Sequence, residues 1–501
     1  MKRFDYLIVG SGFSGSIISM ALTKMGYSVC LIENDQHPRF AIGESSTPIA
    51  DMILRDLADD YDLSFLKKLS RYGEWQRNHP EVVCGLKRGF SYYHHKKGQS
   101  FSSDKNHNSE LLVAASENDQ NSDTNWLRSD VDHFLVNKAV ETGVCFFDQT
   151  NIQKLSRDPK KERWSIFLET SQRIKEVKSN WIIDASGSPQ FSSNFLNTQS
   201  HSSGFKTHSS AIYTHFEEVA HWLDYLKLKG LKTSDYPYNP DFSALHHLIE
   251  EGWIWMLRFN NNRLSAGMLL DESAQKKYSD NIPEESWKSI IQQYPSLQDL
   301  FIDAEIAKSP NQFIKTGRLQ RKLNRVYGNG WVVLPHTAGF VDPLHSTGIA
   351  YTLSGVEVLL KLFHPSVNKK ERKELLKSYE DKIYSELSVI DLLVSMCYKT
   401  RGLFDLFSAC TMIYFIASIR YEQKRLAGET PDTFLCAGHP EIRKIIEDSF
   451  AQIQNLNLDK LSESQINQEI KKFRKRIEPF NTVGLMNPEL NNMYQHTAVE
   501  L

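Results

Sequence analysis

The 501-residue chain is 40% hydrophobic, 11% aromatic and 24% charged, an ordinary globular composition, and its length suits two or three packed units better than one core. A formal net charge of -2 excludes the basic footprint of a nucleic-acid binder. The six cysteines show no CxxC pairing and no histidine partners at metal-ligand spacing, so reduced, mostly buried thiols are expected, without a metal site.

The N-terminus runs straight into an apolar strand at Tyr6 to Val9 with no cleavage site of an export signal, so a cytoplasmic protein is expected. A glycine turn, a helix over Ser14 to Met25 and a strand over Ser28 to Glu33 follow, in the order of a parallel sheet. In Gly10-Ser11-Gly12-Phe13-Ser14-Gly15 the first glycine permits the tight turn, the second lets backbone approach a pyrophosphate, and the third lets helix pack on strand. The helix N-terminus offers N–H groups to the anion, and Glu33 is placed for ribose hydroxyls, which argues for FAD or NAD and against NADP.

Residues 99–125 are polar and read as a loop or excursion, with a short apolar interruption at Leu111 to Ala115. Helical periodicity returns over Trp126 to Gly143, and Trp181 to Ile183 is a strand ending at Asp184. Strand patterns recur around Ala211 to Phe216, Trp253 to Phe259 and Arg263 to Leu270, suggesting a sheet that faces the substrate. Trp331 to Leu334 is a further strand, followed by the loop Pro335 to Gly348 and a helix from Ile349 to about Phe363. Beyond Pro365 the pattern is helical, including Lys369 to Val394. The apolar stretch Leu403 to Ile419 falls short of the ~20 residues of a membrane span and reads as a buried helix, a substrate-tunnel wall or a membrane-facing patch.

Three further segments separate FAD from NAD. Ile182-Ile183-Asp184-Ala185-Ser186-Gly187 resembles the second signature of the FAD-dependent monooxygenase-like enzymes, Arg128 with Asp132 and Leu135 resembles their cofactor-facing helix, and Ala338 to Pro343 resembles their flavin-end motif. The resemblance implies FAD, with Arg128, Asp184, Gly339 and Asp342 at the cofactor. Pro335-His336 stands where those enzymes carry Gly-Asp, so His336 either takes over the ribityl contact or is a buried loop histidine.

Gly43-Glu44-Ser45-Ser46-Thr47-Pro48, Lys87, Trp253-Ile254-Trp255 and Phe340 to Gly348 together resemble the flavin-dependent halogenases, over most of residues 1–360. That family implies an α/β fold: an FAD-binding Rossmann-like domain of the glutathione reductase type, an inserted substrate-facing sheet and a C-terminal helical region. The corresponding boundaries are 1–98, 126–204 and 321–364 for the FAD-binding parts, 205–320 for the sheet and 365–501 for the helices. The resemblance also implies Glu44 and Ser45 beside the flavin ring and Lys87 as the catalytic group. Lys87 would hold the hypohalous acid made from reduced flavin (FADH2), O2 and halide; a lysine beside an arginine in a strand is otherwise a solvated residue. Trp253 and Trp255 would keep substrate from the flavin, or form one face of a core sheet. Arg258 replaces the proline of the family signature and would bring charge near the flavin. Pro343, Ser346, Thr347 and Gly348 would hold halide at a helix N-terminus. His345 stands where tryptophan halogenases carry glutamate; it would act as base, with an ordinary titration near ~6.5, and it points away from tryptophan as substrate.

The leading expectation is halogenation of an electron-rich aromatic such as a phenol, pyrrole or indole, free or on a carrier protein. Reduced flavin would come from a separate reductase, since no second glycine-rich motif is present. The alternative is a monooxygenase on the same scaffold, favoured by Arg258, His336 and His345; a flavin-binding protein without turnover is the third.

Overall fold

The computed structural model describes residues 2–170, 174–497 and 499. An eight-stranded sheet carries, in spatial order, Tyr327–Gly328, Trp331–Val333, Ile174–Asp184, Lys2–Val9, Val29–Ile32 and Cys145–Phe147. Lys2–Val9 runs parallel to both neighbours, and Trp331–Val333 and Cys145–Phe147 extend the same direction outward. Val29–Ile32 is buried at every residue, as expected for a parallel strand covered on both faces. The helix Phe13–Lys24 packs against Arg128–Glu141 and Gly348–Leu362. Asn151–Asp158 and Arg163–Glu169 add an antiparallel hairpin to Ile174–Asp184.

The second sheet has nine strands, with the spine Glu305–Ile306, Ser209–Glu217, Leu264–Asp271, Gly252–Arg258, Ala244–Ile249, Gly89–His94, Glu110–Ala114 and Met493–Tyr494. Two boundaries drawn from sequence therefore move. The polar excursion at 99–125 contains the strand Glu110–Ala114, buried throughout because Leu111 to Ala114 is a greasy run with no other place to go. It also contains Asp123–Trp126, which pairs antiparallel with Cys84–Lys87 in a separate two-stranded ribbon. Lys87 consequently belongs to neither large sheet, and Gly89–His94 belongs to the substrate sheet rather than to the nucleotide unit. Ala244–Ile249 has no sequence signature because His246 and His247 interrupt its apolar run, yet all its residues are buried.

The C-terminal region is built on the helices Lys369–Thr400, Phe404–Leu426, Pro440–Gln454 and Glu463–Ile477. Phe404–Leu426 is buried along nearly its whole length, which makes Leu403 to Ile419 the buried helix among the three readings of this stretch. Arg425 near its end binds Glu357 on Gly348–Leu362 at 3.0 Å and also Asp56 on the helix Pro48–Asp60. Among the described residues no helix is long and apolar enough to cross a membrane, and no cluster of three or more His, Cys, Asp or Glu side chains is arranged to hold a metal ion. All six cysteines are free; Cys145 is half-buried and the rest are buried.

Candidate active site

Where the parallel strands end, the chain leaves a cleft of about 600 Å³ walled by Val9, Ile32, Ala185 and Leu334, a size suited to a small molecule or cofactor. The glycine turn forms part of its wall. Gly10 has φ +95°, and a Cβ there would lie 2.7 Å from the Ser186 backbone; a Cβ on Gly15 would lie 2.0 Å from the Gly10 carbonyl oxygen. Neither position tolerates a side chain, so turn, strand and helix close to backbone contact, and Gly12, Phe13 and Ser14 line the cleft. Asp132 Oδ1 accepts the Phe13 N–H at 3.1 Å and Arg128 Nε at 2.9 Å. Arg128 also donates to the Ile42 and Gly43 carbonyls, which fixes its guanidinium on the cleft wall.

Glu33 lines the cleft as well, with Oε2 accepting from the Ser11 N–H (3.0 Å), the Ser11 hydroxyl (2.9 Å) and Arg39 (2.9 Å). Burial pushes this carboxyl up, but the Arg39 guanidinium and the Ser11 hydrogen bonds outweigh it and hold Glu33 below the usual carboxylate range. His336 lines the opposite part, its ring 5.1 Å from Phe340. Burial, helped by Arg321 and Arg128, pushes His336 down to about 3, so the ring is neutral. Arg321, silent in the sequence, ties this loop by donating to the Gly187, His336 and Thr337 carbonyls.

Three residues expected at the cofactor point elsewhere, each for a local reason. The Asp184 carboxylate lies outside the cleft lining and accepts the Ser186 N–H (3.0 Å) and the Ser186 and Ser192 hydroxyls; it shapes the turn whose Ala185, Ser186 and Gly187 reach the cleft. Gly339 packs on Lys369–Thr400, where a Cβ would lie 2.4 Å from Leu387. Asp342 accepts from the Ser209 hydroxyl (2.7 Å), the Tyr398 hydroxyl (2.8 Å) and the Leu344 N–H (3.1 Å), and burial raises it to about 6.

Beyond the cleft lies a buried cluster of aromatic side chains around Lys87. Lys87, fully buried, donates from Nζ to the Ser46 carbonyl at 2.6 Å, stands 3.6 Å from Asp123 Oδ2 and lies 4.2 Å from the Phe90 ring. Strand register sets the ion pair, since Lys87 is directly opposite Asp123. Burial pulls the ammonium below lysine's ordinary range, with the Asp123 and Asp51 carboxylates opposing it. Tyr414 is 6.0 Å from Phe90 and stacks on His345 at 4.4 Å. His246 joins the same group, 4.5 Å from Tyr92 and 5.2 Å from Trp253.

Two segments lead from the cleft to this cluster. Gly43 lines the cleft, whereas the Ser46 carbonyl holds Lys87. Between them Glu44 binds His215 at 2.8 Å and Ser45 pairs with Asn125. Glu44 Oε2, Ser45 Oγ and the Asn125 amide are buried without a protein partner among the described residues, the pattern of a place completed by ligand or water. In the second segment Gly348 lines the cleft while the His345 ring packs in the aromatic cluster. Three peptide units span at most about 11 Å, so cleft and cluster are close neighbours. Ser346 between them has φ +51°, a strained value for a residue with a side chain, and its N–H bonds the Pro343 carbonyl at 2.9 Å; Thr347 precedes the helix as N-cap. Trp255, packed over Gly267, is 5.9 Å from Tyr213, which stacks on the cleft residue Phe40, while Trp253 reaches His246.

Two expectations need correction. His345 does not titrate in its ordinary range: burial, reinforced by His246, pushes it down to about 3, leaving a weak base at neutral pH. Arg258 brings no charge to the flavin side. Its Nε binds Asp241 at 3.1 Å and its guanidinium donates to the Val219 and Ala220 carbonyls, and Asp241 also accepts the Trp222 and Leu223 N–H groups. Replacing Arg258 by Leu leaves this fully buried carboxylate without its cation and is expected to cost about 3–5 kcal/mol, read as a lower urea midpoint. A loss below about 1 kcal/mol would mean that the pair does not anchor the strand.

Residues 126–405, more than half of the chain, match the family model described as tryptophan halogenase. The chain belongs to that family. As a tryptophan halogenase family member it is an enzyme of the flavin-dependent halogenase group, and residues 8–59 separately match an NAD(P)-binding Rossmann-like domain. It is 27% identical over 482 residues to monodechloroaminopyrrolnitrin halogenase PrnC of Pseudomonas fluorescens, spanning 90% of this chain and 81% of that one. It is also 27% identical over 364 residues to tetracycline 7-halogenase of Kitasatospora aureofaciens, spanning 72% and 63% respectively. The crystal structure of halogenase PltM in complex with phloroglucinol and FAD shares the fold, with a TM-score of 0.86 at 22% identity over 98% of this chain and 99% of that one.

Sequence reasoning passed over Asp123, His246, Tyr414 and Glu422. Asp123 was hidden in a polar stretch, and only the strand register reveals its pairing with Lys87. The other three come from elements whose neighbours in space are remote in sequence.

Proposed function

We propose that this chain is an FAD-dependent halogenase that uses halide and O2 to halogenate an electron-rich aromatic ring, free or carried on a protein, with a separate reductase supplying reduced flavin. The observation that supports this reading is the pair of segments, Gly43 to Ser46 and His345 to Gly348, that lead from the cleft to a buried aromatic cluster holding a lysine. The residues fit the cofactor. Backbone at Gly10 and Gly12 and the helix start at Phe13 and Ser14 would hold the pyrophosphate, Glu33 the ribose, and neutral His336 the ribityl chain. The partnerless atoms of Glu44 and Ser45 and the wall at Arg128 would serve the ring system. Reduced FAD, when bound, supplies the electrons with which O2 oxidises halide to hypohalous acid. Ser346, Thr347 and Gly348 would present halide at the start of a helix, in a turn whose strained φ fixes the backbone in advance.

Lys87 then holds the hypohalous acid by an N–H donor, or as its haloamine. Burial favours both, because it lowers the ammonium pKa and excludes water that would carry the oxidant away. Trp253 and Trp255 would form a partition, Trp253 touching His246 of the aromatic cluster and Trp255 reaching the cleft residue Phe40 through Tyr213. The ring substrate therefore meets the oxidant at Lys87, and the hydroxylase alternative loses the support it drew from Arg258.

The decisive experiment incubates the protein with a flavin reductase, FAD, NADH, bromide or chloride and a panel of phenols, pyrroles and indoles, with product masses as the readout. A halogen-substituted ring is expected; an oxygenated ring with halide untouched would overturn the proposal.

A further inference from the structure

Glu422 projects from the interior helix Phe404–Leu426 to the junction of two cavities. One, of about 590 Å³, opens beside the helix Pro48–Asp60 and is lined by Asp51, Arg55, Arg71, Asp123 and Glu422. The other, of about 20 Å³, is lined by Phe90, Tyr414, Phe415 and Glu422, and so touches the ring partners of both Lys87 and His345. Pro48, Ala115 and Glu422 belong to both linings and form the throat between them. The Glu422 carboxylate accepts the Ser418 hydroxyl at 2.9 Å and has no ion pair among the described residues. Asp123, almost fully buried, lines the larger cavity with Oδ2 lacking a hydrogen-bond partner among the described residues and ion-paired to Lys87 at 3.6 Å.

We propose that Glu422 is the substrate's proton acceptor: an aromatic ring bearing a hydroxyl or amino group enters through the larger cavity and donates that O–H or N–H to the Glu422 carboxylate beside Lys87. The inference rests on the halogenase reading for its chemistry and names the substrate class for that site. It also answers why His345, too weak a base, can replace a glutamate. As the ring carbon bonds to halogen, the O–X bond of the hypohalous acid breaks and its oxygen leaves as hydroxide. The halogen is reduced by two electrons and the ring is oxidised by two. The ring O–H or N–H proton passes to Glu422 during attack and returns as the ring C–H proton is lost to that hydroxide, so that ArH and HOX give ArX and H2O.

Burial, with the Asp123 carboxylate, raises Glu422 to about 7 against the opposing pull of Lys87, which poises it to exchange a proton near neutrality. The charged groups facing it from other elements are Lys87 and Asp123 on the ribbon and Asp51 and Arg55 on Pro48–Asp60. Farther round the larger cavity stand Arg71, Glu117 and His496, and Tyr414 lies on its own helix.

Calorimetric titration of the full chain with phloroglucinol and with aniline tests the proposal without requiring turnover. Wild-type protein is expected to bind about tenfold more weakly at pH 6 than at pH 8, as a carboxyl of pKa near 7 protonates. Glu422→Gln should bind at least about fivefold more weakly at pH 8 and lose this pH dependence, with Glu422→Asp restoring part of both. Unchanged affinity and pH profile in Glu422→Gln would overturn the inference, as would the absence of pH-dependent binding of either ring to wild-type protein. Should pH-dependent binding hold while no halide enters the ring, the halogenase reading falls and the acceptor site stands. Halogenation at wild-type rate and pH profile by Glu422→Gln would overturn the acceptor role alone.

Discussion

Replacing Lys87 by Met is expected to lower ring halogenation by about a thousandfold or more while FAD still binds within about twofold of wild type. The separation follows from the architecture. Nζ contacts the Ser46 carbonyl, Asp123 and the Phe90 ring, and none of these contacts is with the glycine turn, Glu33 or His336. Methionine fills the aliphatic part of the side chain, so the loss reports the ammonium group rather than a hole. One complication is electrostatic: without Lys87, Asp123 is buried beside Asp51 with no cation in contact, an arrangement that costs about 3–5 kcal/mol when a charge must remain. The double variant Lys87→Met with Asp123→Asn removes that cost. If this stabilised variant regains more than about a tenth of the wild-type rate, the lysine does not carry the chemistry.

Gly15→Ala should abolish flavin retention, weakening FAD binding by more than about a hundredfold in a fluorescence titration, whereas Gly12→Ala should cost far less. A methyl group at Gly15 meets the Gly10 carbonyl oxygen at 2.0 Å, so either the helix moves off the strand or the turn opens. At Gly12 the nearest atom is Arg128 Nη2 at 3.3 Å, a side-chain contact that a shift of a few tenths of an ångström relieves rather than a clash with backbone. Similar losses at the two positions would mean that the turn is not what shapes the pyrophosphate cradle.

Much of the fold was legible because its signals are local. The glycine turn, the strands Lys2–Val9 and Val29–Ile32 and the helix Gly348–Leu362 follow from periodicity and backbone sterics. Lys87 was legible through its neighbours in a family pattern. What stayed hidden depends on register or on burial. The ribbon that sets Asp123 against Lys87 joins a recognisable strand to part of a polar stretch, and no one-dimensional pattern encodes that pairing. The electrostatics of His345 were misjudged for a similar reason: a titration range belongs to an environment, and the burial and the His246 ring that set it come from elements remote in sequence. The misplacement of Arg258 shows the same limit, since only the Asp241 carboxylate on the far side of the strand explains where its charge goes.

Arg425 ties together three helices that serve different spaces. Its partners are Glu357, on the helix that starts at the cleft, and Asp56, on the helix that starts at the throat, while its own helix bears Tyr414 and Glu422. A single guanidinium therefore acts as a common rivet. Changes in ring preference introduced near this rivet will be felt as changes in flavin affinity, whereas residues lining the outer cavity away from it can diversify without disturbing the oxidant's source. Selection, natural or in the laboratory, has a wide margin at the mouth of this enzyme and a narrow one at its hinge.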